Sequence, residues 1–234
     1  MAFTERSHAF IAAKFYVHLR GAFEGKGVRS FIHATQYYAG QRGQRMAQRA
    51  LRDGKELTYE TYMEYGEWVN SPSIIENGEA NQAVVEEVSP DYVIRVTRCP
   101  WHIQFKEMGL VEAGHEYCAH LDAAICRGFN PYLDYQVERT LHKSDCCIHR
   151  IRNANVKPNA AKRKEHARGF EYHCAHSYWA YREVAVAIWE RRGEKISLQV
   201  LEDFADEYGA EMADALLSYR YENFNVAGAP AIHP

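Results

Sequence analysis

The chain has 234 residues, 47% of them apolar and 25% charged, proportions that exclude intrinsic disorder and fibrous repeats. Its 28 Lys and Arg against 31 Asp and Glu give a formal net charge of −3, where a protein that grips a nucleic-acid backbone would carry a basic excess. The longest apolar stretches, such as Val184-Ala185-Val186-Ala187-Ile188, fall far short of the roughly 20 residues of a membrane span. Met1 to His8 lacks the apolar stretch of a secretory signal, so the expected compartment is the reducing cytoplasm and the 6 cysteines are read as thiols.

Phe10, Ile11, Phe15, Val17 and Leu19 predict a first helix, and a break between Gly21 and Gly27 separates it from a second, Val28 to Leu51, stopped by Asp53-Gly54. Leu57 to Val69 continues the helical period, and the Pro- and Gly-bearing segment Asn70 to Asn77 reads as a loop. At Tyr92–Arg98 the period changes to alternating β-branched residues, which predicts a strand. Helices over Pro100–Met108 and Ala113–Cys126 follow, closed by Gly128-Phe129-Asn130-Pro131 because Pro131 disfavours helical geometry at Asn130. Tyr132–Leu141 and Cys146–Ile151 predict two strands with a hairpin-length link at His142–Asp145. After a polar loop from Arg152 to Pro158, helices over Ala160–Arg191 and Leu198–Tyr221 lead to a loose tail holding Gly228, Pro230 and Pro234. No internal repeat is evident. The expected architecture is α+β in one domain over 1–234: a helical N-terminal part, a small central antiparallel sheet of about three strands, and two long C-terminal helices.

Reactive side chains concentrate between Cys99 and His176. Cys118 and Asp122 are four apart and share a helix face, while Cys147 and His149 share a strand face. His173 and His176, three apart on a helix, could hold a metal or move protons, or pack among Tyr172, Tyr178, Trp179 and Tyr181. A thiol needs a neighbouring base or a lowered pKa to attack, and a carboxylate alone would raise that pKa, so Asp122 fits a proton acceptor or an orienter of histidine. The competing reading makes each thiol a small buried apolar group. Arg42, Arg45, Arg49 and Arg52 form one basic stripe, either a solvated face paired with acidic neighbours or a clamp for a small carboxylate. Zincin, α/β-hydrolase, dinucleotide and P-loop signatures are all lacking from the sequence.

The series Arg98-Cys99-Pro100, Cys118-Ala119-His120-Leu121-Asp122, Gly128-Phe129-Asn130-Pro131 and Thr140-Leu141 with Asp145 and Cys147 resembles the L-2-amino-thiazoline-4-carboxylic acid hydrolase family. Gly40-Gln41-Arg42-Gly43-Gln44-Arg45-Met46-Ala47 is similar to that family's basic helix, so the likeness covers roughly 35–155. Two positions depart from it: Ser144 stands where glycine is usual, and His149 where an aromatic is usual. The resemblance implies a hydrolase that opens a small nitrogen heterocycle, with Cys99, Cys118, Asp122, Asn130, Thr140 and Cys147 on motif positions. On this reading Cys118, Asp122, Cys147 and His173 carry the chemistry, and Arg42, Arg45, Cys99, Asn130, Thr140 and His176 bind substrate. A metal-free thiol route is favoured over Cys and His ligands holding a metal, so no cofactor is expected. The expected partner is a small heterocyclic substrate, with neither nucleic acid nor membrane, and a homo-oligomer is compatible. The Asp145–Cys147 end also resembles 4-vinyl reductase-type small-molecule-binding domains, which would make the protein a sensor without chemistry.

Overall fold

The computed structural model describes residues 2–157 and 162–228. Helix α1 (Glu5–Arg52) starts at Thr4, whose hydroxyl accepts from the Arg6 amide while the Thr4 amide donates to Ser7 Oγ, so two otherwise orphaned donors are satisfied. At Glu24 (φ 51°, ψ −130°) the helix folds back on itself within the break expected between Gly21 and Gly27. Its two limbs run antiparallel, joined by an edge-on Tyr16–Phe31 contact at 5.2 Å and by His8 Nε2 against the Tyr38 hydroxyl at 2.9 Å.

The same turn recurs at Glu190 (φ 50°, ψ −126°), between α6 (Phe170–Trp189) and α7 (Arg191–Tyr208). In each turn a glycine presses on a carbonyl of the preceding helix: a Cβ would stand 1.9 Å from Leu19 O at Gly27 and 2.0 Å from Ala185 O at Gly193. The residues just before the turns, Phe23 and Trp189, stack with centroids 3.6 Å apart. Phe23-Glu24-x-x-Gly27 and Trp189-Glu190-x-x-Gly193 therefore form a local repeat too short to register as a period in the sequence.

Short helices α2 (Tyr59–Glu64) and α3 (Pro72–Glu76) lead into β1 (Gln82–Glu87) and β2 (Tyr92–Arg98). Helices α4 (Pro100–Glu107) and α5 (Val111–Phe129) follow, then β3 (Tyr135–Arg139) and β4 (Cys147–Ile151). The strands form one antiparallel sheet in the order β1-β2-β4-β3, and a last helix, α8 (Ala210–Ser218), follows α7. The α+β architecture is the expected one.

Beyond shifts at the ends of elements, such as α5 running on to Phe129 and β3 narrowing to Tyr135–Arg139, its details differ in four places. The sheet has four strands because β1 pairs with β2 as a solvent-facing edge, and a strand without one-sided burial leaves no alternation to read. The helix expected over Leu57–Val69 is confined to α2, since the chain turns at Gly66 and carries Glu67 inward. Within the expected loop, Pro72 opens α3 from its first helical position. The first C-terminal helix begins at Phe170 and breaks at Glu190, and the second stops at Gly209 (φ 92°), which adds α8. Residues 158–161, where the first of those helices was expected to start, and Pro230 and Pro234 of the tail lie outside the described residues.

The main core joins α1, α4, α5, α6 and α7, and Tyr59, Tyr92, Cys126, Ile151 and Val156 form a smaller cluster under the sheet. The second limb of α1 meets α5 at glycines: Gly43 lies on the backbone of Ile125 and Gly128, and Gly128 on that of Gly40. This close approach places Arg42 on the same cavity walls as Asp122. No helix among the described residues is long and apolar enough to cross a membrane.

Candidate active site

Cys118 and Asp122 project from one face of α5, one helical turn apart, into a cavity of about 100 Å³ that Arg42, Trp68, Val96, Cys99, Trp101, Cys147 and His149 help to close. The antiparallel register pairs Val96 with Cys147 and Ile94 with His149, which turns Cys147 and His149 to the same side of β4. A second chamber of about 270 Å³ shares Arg42, Trp68 and Asp122 and adds Met46, Tyr62, Met63, Glu67 and Lys162 to its walls. Asp122 thus stands where the two chambers meet.

Three thiols face the smaller chamber. Burial pushes Cys99 up to about 12 and Cys147 up to about 11, and it pushes Cys118 well above its ordinary value, with Cys99, Cys147 and Asp122 adding to the effect. All three are protonated at neutral pH, so a nucleophile among them needs a base. Of these thiols only Cys118 meets one among the described residues: its Sγ lies 3.5 Å from His142 Nε2. His142 is 8% exposed, and burial, with His102 and His115 nearby, pushes its imidazole down to about 3. Its ring is neutral at physiological pH, so one nitrogen is bare and can accept a hydrogen bond from the thiol, while the same burial opposes full protonation of the ring. The Leu141 amide donates to Cys147 Sγ at 3.2 Å.

His142 was not among the residues the sequence singled out. It lies in the β3–β4 connection, where a His-Lys-Ser-Asp run reads as turn chemistry, and only tertiary packing brings it to α5. Gly114, one turn before Cys118, marks the spot where the ring must fit.

On the opposite wall, Asp122 Oδ2 lies 3.8 Å from His149 Nδ1, which shares a hydrogen bond of 2.6 Å with the Tyr135 hydroxyl. The departure at position 149 therefore falls inside the cavity and next to its carboxylate. The other departure lies outside: Ser144 Oγ contacts Thr140 O at 3.0 Å and Cys146 O at 2.6 Å in the turn.

Three members of the basic stripe are interior, while Arg52 is exposed beside Asp53. Arg42, Arg45 and Arg49 are at most 5% exposed and converge on Glu67, which is completely buried. Arg45 grips Glu67 with both prongs (Nε–Oε1 3.1 Å, Nη2–Oε2 2.8 Å), Arg49 Nη2 donates to Oε1 at 2.9 Å, and Arg42 Nε lies 3.8 Å from Oε2. Burial alone would raise the Glu67 pKa, but the three guanidinium groups overcome it and hold the carboxyl down to about 2. Three cations nevertheless face one anion. Arg42 Nε has no hydrogen-bond partner, and Arg42 is the member of the trio that lines both chambers.

The structure separates the remaining sequence candidates from the chambers. His173 Nε2 contacts Glu67 O at 3.1 Å, and His176 lies between Gln41 Oε1 (2.8 Å) and Arg45 Nη2 (3.3 Å). Both are buried behind the arginines, and neither lines a chamber. Arg45 is taken up by Glu67 and by the Phe224 carbonyl. Asn130 donates to Leu57 O at 2.7 Å and accepts from the Tyr132 amide at 3.0 Å, tying down the end of α5. Thr140 Oγ1 meets His115 Nδ1 at 2.9 Å. Among the described residues, no three His, Cys, Asp or Glu side chains gather closely enough to hold a metal ion.

The family model described as L-2-amino-thiazoline-4-carboxylic acid hydrolase matches residues 4–151, which reaches from the first limb of α1 through β4. No curated protein and no solved structure matches the chain.

Proposed function

We propose, since the chain belongs to the L-2-amino-thiazoline-4-carboxylic acid hydrolase family, that it opens a small cyclic amidine or isothiourea bearing a carboxylate by covalent catalysis at Cys118. The family is one of hydrolases that act on a carbon–nitrogen bond of a cyclic substrate. The observation that carries the thiol reading is the Cys118–His142 contact, because among the described residues it alone pairs a cavity thiol with an imidazole nitrogen.

A 2-amino-thiazoline-carboxylate carries opposite charges at its two ends, and the cavity offers a matching pair. The Arg42 guanidinium, which lines the cavity, meets the carboxylate, and the Asp122 carboxylate meets the protonated amidine. This orientation aims the carbon between ring nitrogen and ring sulfur at Cys118 Sγ. As the thiol proton moves to His142 Nε2, Sγ bonds to that carbon and the π electrons move onto nitrogen. One ring bond at the carbon then breaks, and its heteroatom leaves with the proton from His142. Water adds to the Cys118-bound carbon, gives a proton to His142, and expels the thiolate, which takes that proton back. The product is a carbamoyl compound containing every substrate atom plus one water. Cys99 and Cys147 line the chamber, while His173, His176 and Arg45 hold the buried platform from which Arg42 extends.

The test is turnover of 2-amino-thiazoline-4-carboxylate and related rings, followed by mass spectrometry for the gain of one water. Cys118→Ser should abolish turnover, and His142→Ala should lower it about 10²–10⁴-fold. Both variants should keep the wild-type melting temperature. Cys118→Ser with normal turnover overturns the assignment, and a wild-type protein that binds these rings without consuming them favours the sensor reading.

A further inference from the structure

We propose that His102 completes a Cys118–His142–His102 triad, holding the tautomer of His142 in which Nε2 is bare and faces the thiol. This inference rests on the thiol reading above. His142 Nδ1 lies 3.3 Å from His102 Nδ1, and His142 Nε2 lies 3.5 Å from Cys118 Sγ.

Proton counting fixes the arrangement. A neutral imidazole has one N–H and one bare nitrogen. If Nε2 is to take the Cys118 proton, the single N–H of His142 must sit on Nδ1, and it needs an acceptor there. His102 Nδ1 is that acceptor, which places the N–H of His102 on its own Nε2. When Cys118 gives up its proton, His142 becomes imidazolium with both nitrogens as donors, one toward Sγ and one toward His102. No proton is left unplaced. His102 thus orients His142 as a carboxamide does in a nucleophile–histidine–orienter array, without the added stabilisation of the imidazolium that a carboxylate supplies. A neutral imidazole suits this buried site because it adds no negative charge that would raise the thiol pKa further.

The ring of His142 is also seated. A Cβ on Gly114 would stand 2.2 Å from His142 Cε1 and 2.6 Å from Nδ1, so the imidazole lies directly on the α5 backbone. Phe105 of α4 packs its ring nearly perpendicular (87°) to that of His142 at 5.7 Å. His102 is presented by α4 from the other side and reaches a surface cleft beside Lys106. The charged and titratable neighbours are His102 and Lys106 on α4 and His115 and Cys118 on α5. Gly114 and His102 have one geometric purpose in common, to hold the imidazole against Cys118.

The experiment reads Cys118 itself. Iodoacetamide alkylation at neutral pH is followed on the Cys118-containing peptide by mass spectrometry, beside kcat and KM for 2-amino-thiazoline-4-carboxylate. His102→Leu should slow Cys118 alkylation and lower kcat at least tenfold with KM unchanged. His102→Asn, whose side-chain carbonyl can accept the same N–H, should restore most of both. Gly114→Ala, which removes no titratable group, should reproduce the His102→Leu defect by displacing the ring. The triad is overturned if His102→Leu reacts with iodoacetamide at the wild-type rate, or if His102→Asn is as slow as His102→Leu. Alkylation needs no substrate, so the two readings separate. If wild-type protein leaves every ring intact while alkylation follows His102 as expected, the triad stands and the hydrolytic reading fails. If turnover needs Cys118 but alkylation ignores His102, the hydrolytic reading stands and the triad fails.

Discussion

A Cβ placed on Gly43 would stand 2.0 Å from the carbonyl oxygen of Ile125, so α1 and α5 meet backbone to backbone at that point. The contact sits one residue from Arg42 on α1 and three from Asp122 on α5, so it sets the spacing of the two groups assigned to the ends of the substrate. Any side chain here must push a helix rather than a flexible neighbour. Gly43→Ala should destabilise the protein by about 3 kcal/mol, at the upper end for overpacking, as measured by denaturant unfolding. An unchanged unfolding midpoint would contradict a backbone-to-backbone crossing.

Arg42 and Arg45 should behave oppositely. Arg42 lines both chambers and makes no hydrogen bond from Nε, whereas Arg45 spends its donors on Glu67 and Phe224 O. Losing one charged hydrogen bond costs about 1.5–3 kcal/mol, so Arg42→Met should raise KM roughly 10- to 150-fold with the fold intact. Arg45→Met should instead lower stability. Kinetics and melting curves on both variants check this, and equal KM values for Arg42→Met and wild type would remove Arg42 from the site.

Among the described residues, Glu67 is the single buried counter-charge to the Arg42, Arg45 and Arg49 guanidinium groups. Glu67→Gln preserves size but strands the cations in the interior. The expected loss is about 3–5 kcal/mol, the cost of breaking a buried pair from one side. Chemical denaturation reads it directly. A loss below about 1 kcal/mol, the scale of an exposed pair, would show that water screens the cluster.

Acid should unfold the protein early. Burial holds His142 and His173 down to about 3 and His8 and His176 well below their ordinary value. In the unfolded chain each titrates near 6.5, so between about pH 6.5 and pH 3 the unfolded state binds protons that the native state refuses. Stability therefore falls as pH falls, by up to about 1.4 kcal/mol per pH unit for each such histidine. Glu67, held down to about 2, acts in the same direction but only below about pH 4.5. The melting temperature should drop between about pH 7 and pH 5, where carboxylates contribute little. A flat profile over that interval would show that the buried histidines gain compensating partners when protonated.

Periodicity made much of the fold legible. The change from helical to alternating spacing at Tyr92 marks β2 with its true ends, and the glycines around position 24 mark the reversal in α1. Such features are local, because the amphipathic period and the turn chemistry lie within a few consecutive residues. Strand β1 escaped because both its faces meet solvent, and the helix expected beyond Glu64 failed because Glu67 had a tertiary obligation to the arginines.

In the site, the sequence by itself determined that Cys118 and Asp122 share a helix face, that Cys147 and His149 share a strand face, and that the arginines form a stripe. Each follows from a fixed repeat of 3.6 or 2 residues. Only the tertiary structure decided which side of each element met the cavity. It turned Arg42, Arg45 and Arg49 inward onto Glu67, left Arg42 as the member of those three that lines both chambers, and placed His173 and His176 behind that wall. It also brought His142 to Cys118 across 24 residues, and His102 to His142 across 40. No local spacing rule covers such distances. The helix crossing at Gly43 and the close seat at Gly114 do, because a missing Cβ lets two segments approach nearer than any sequence period can express.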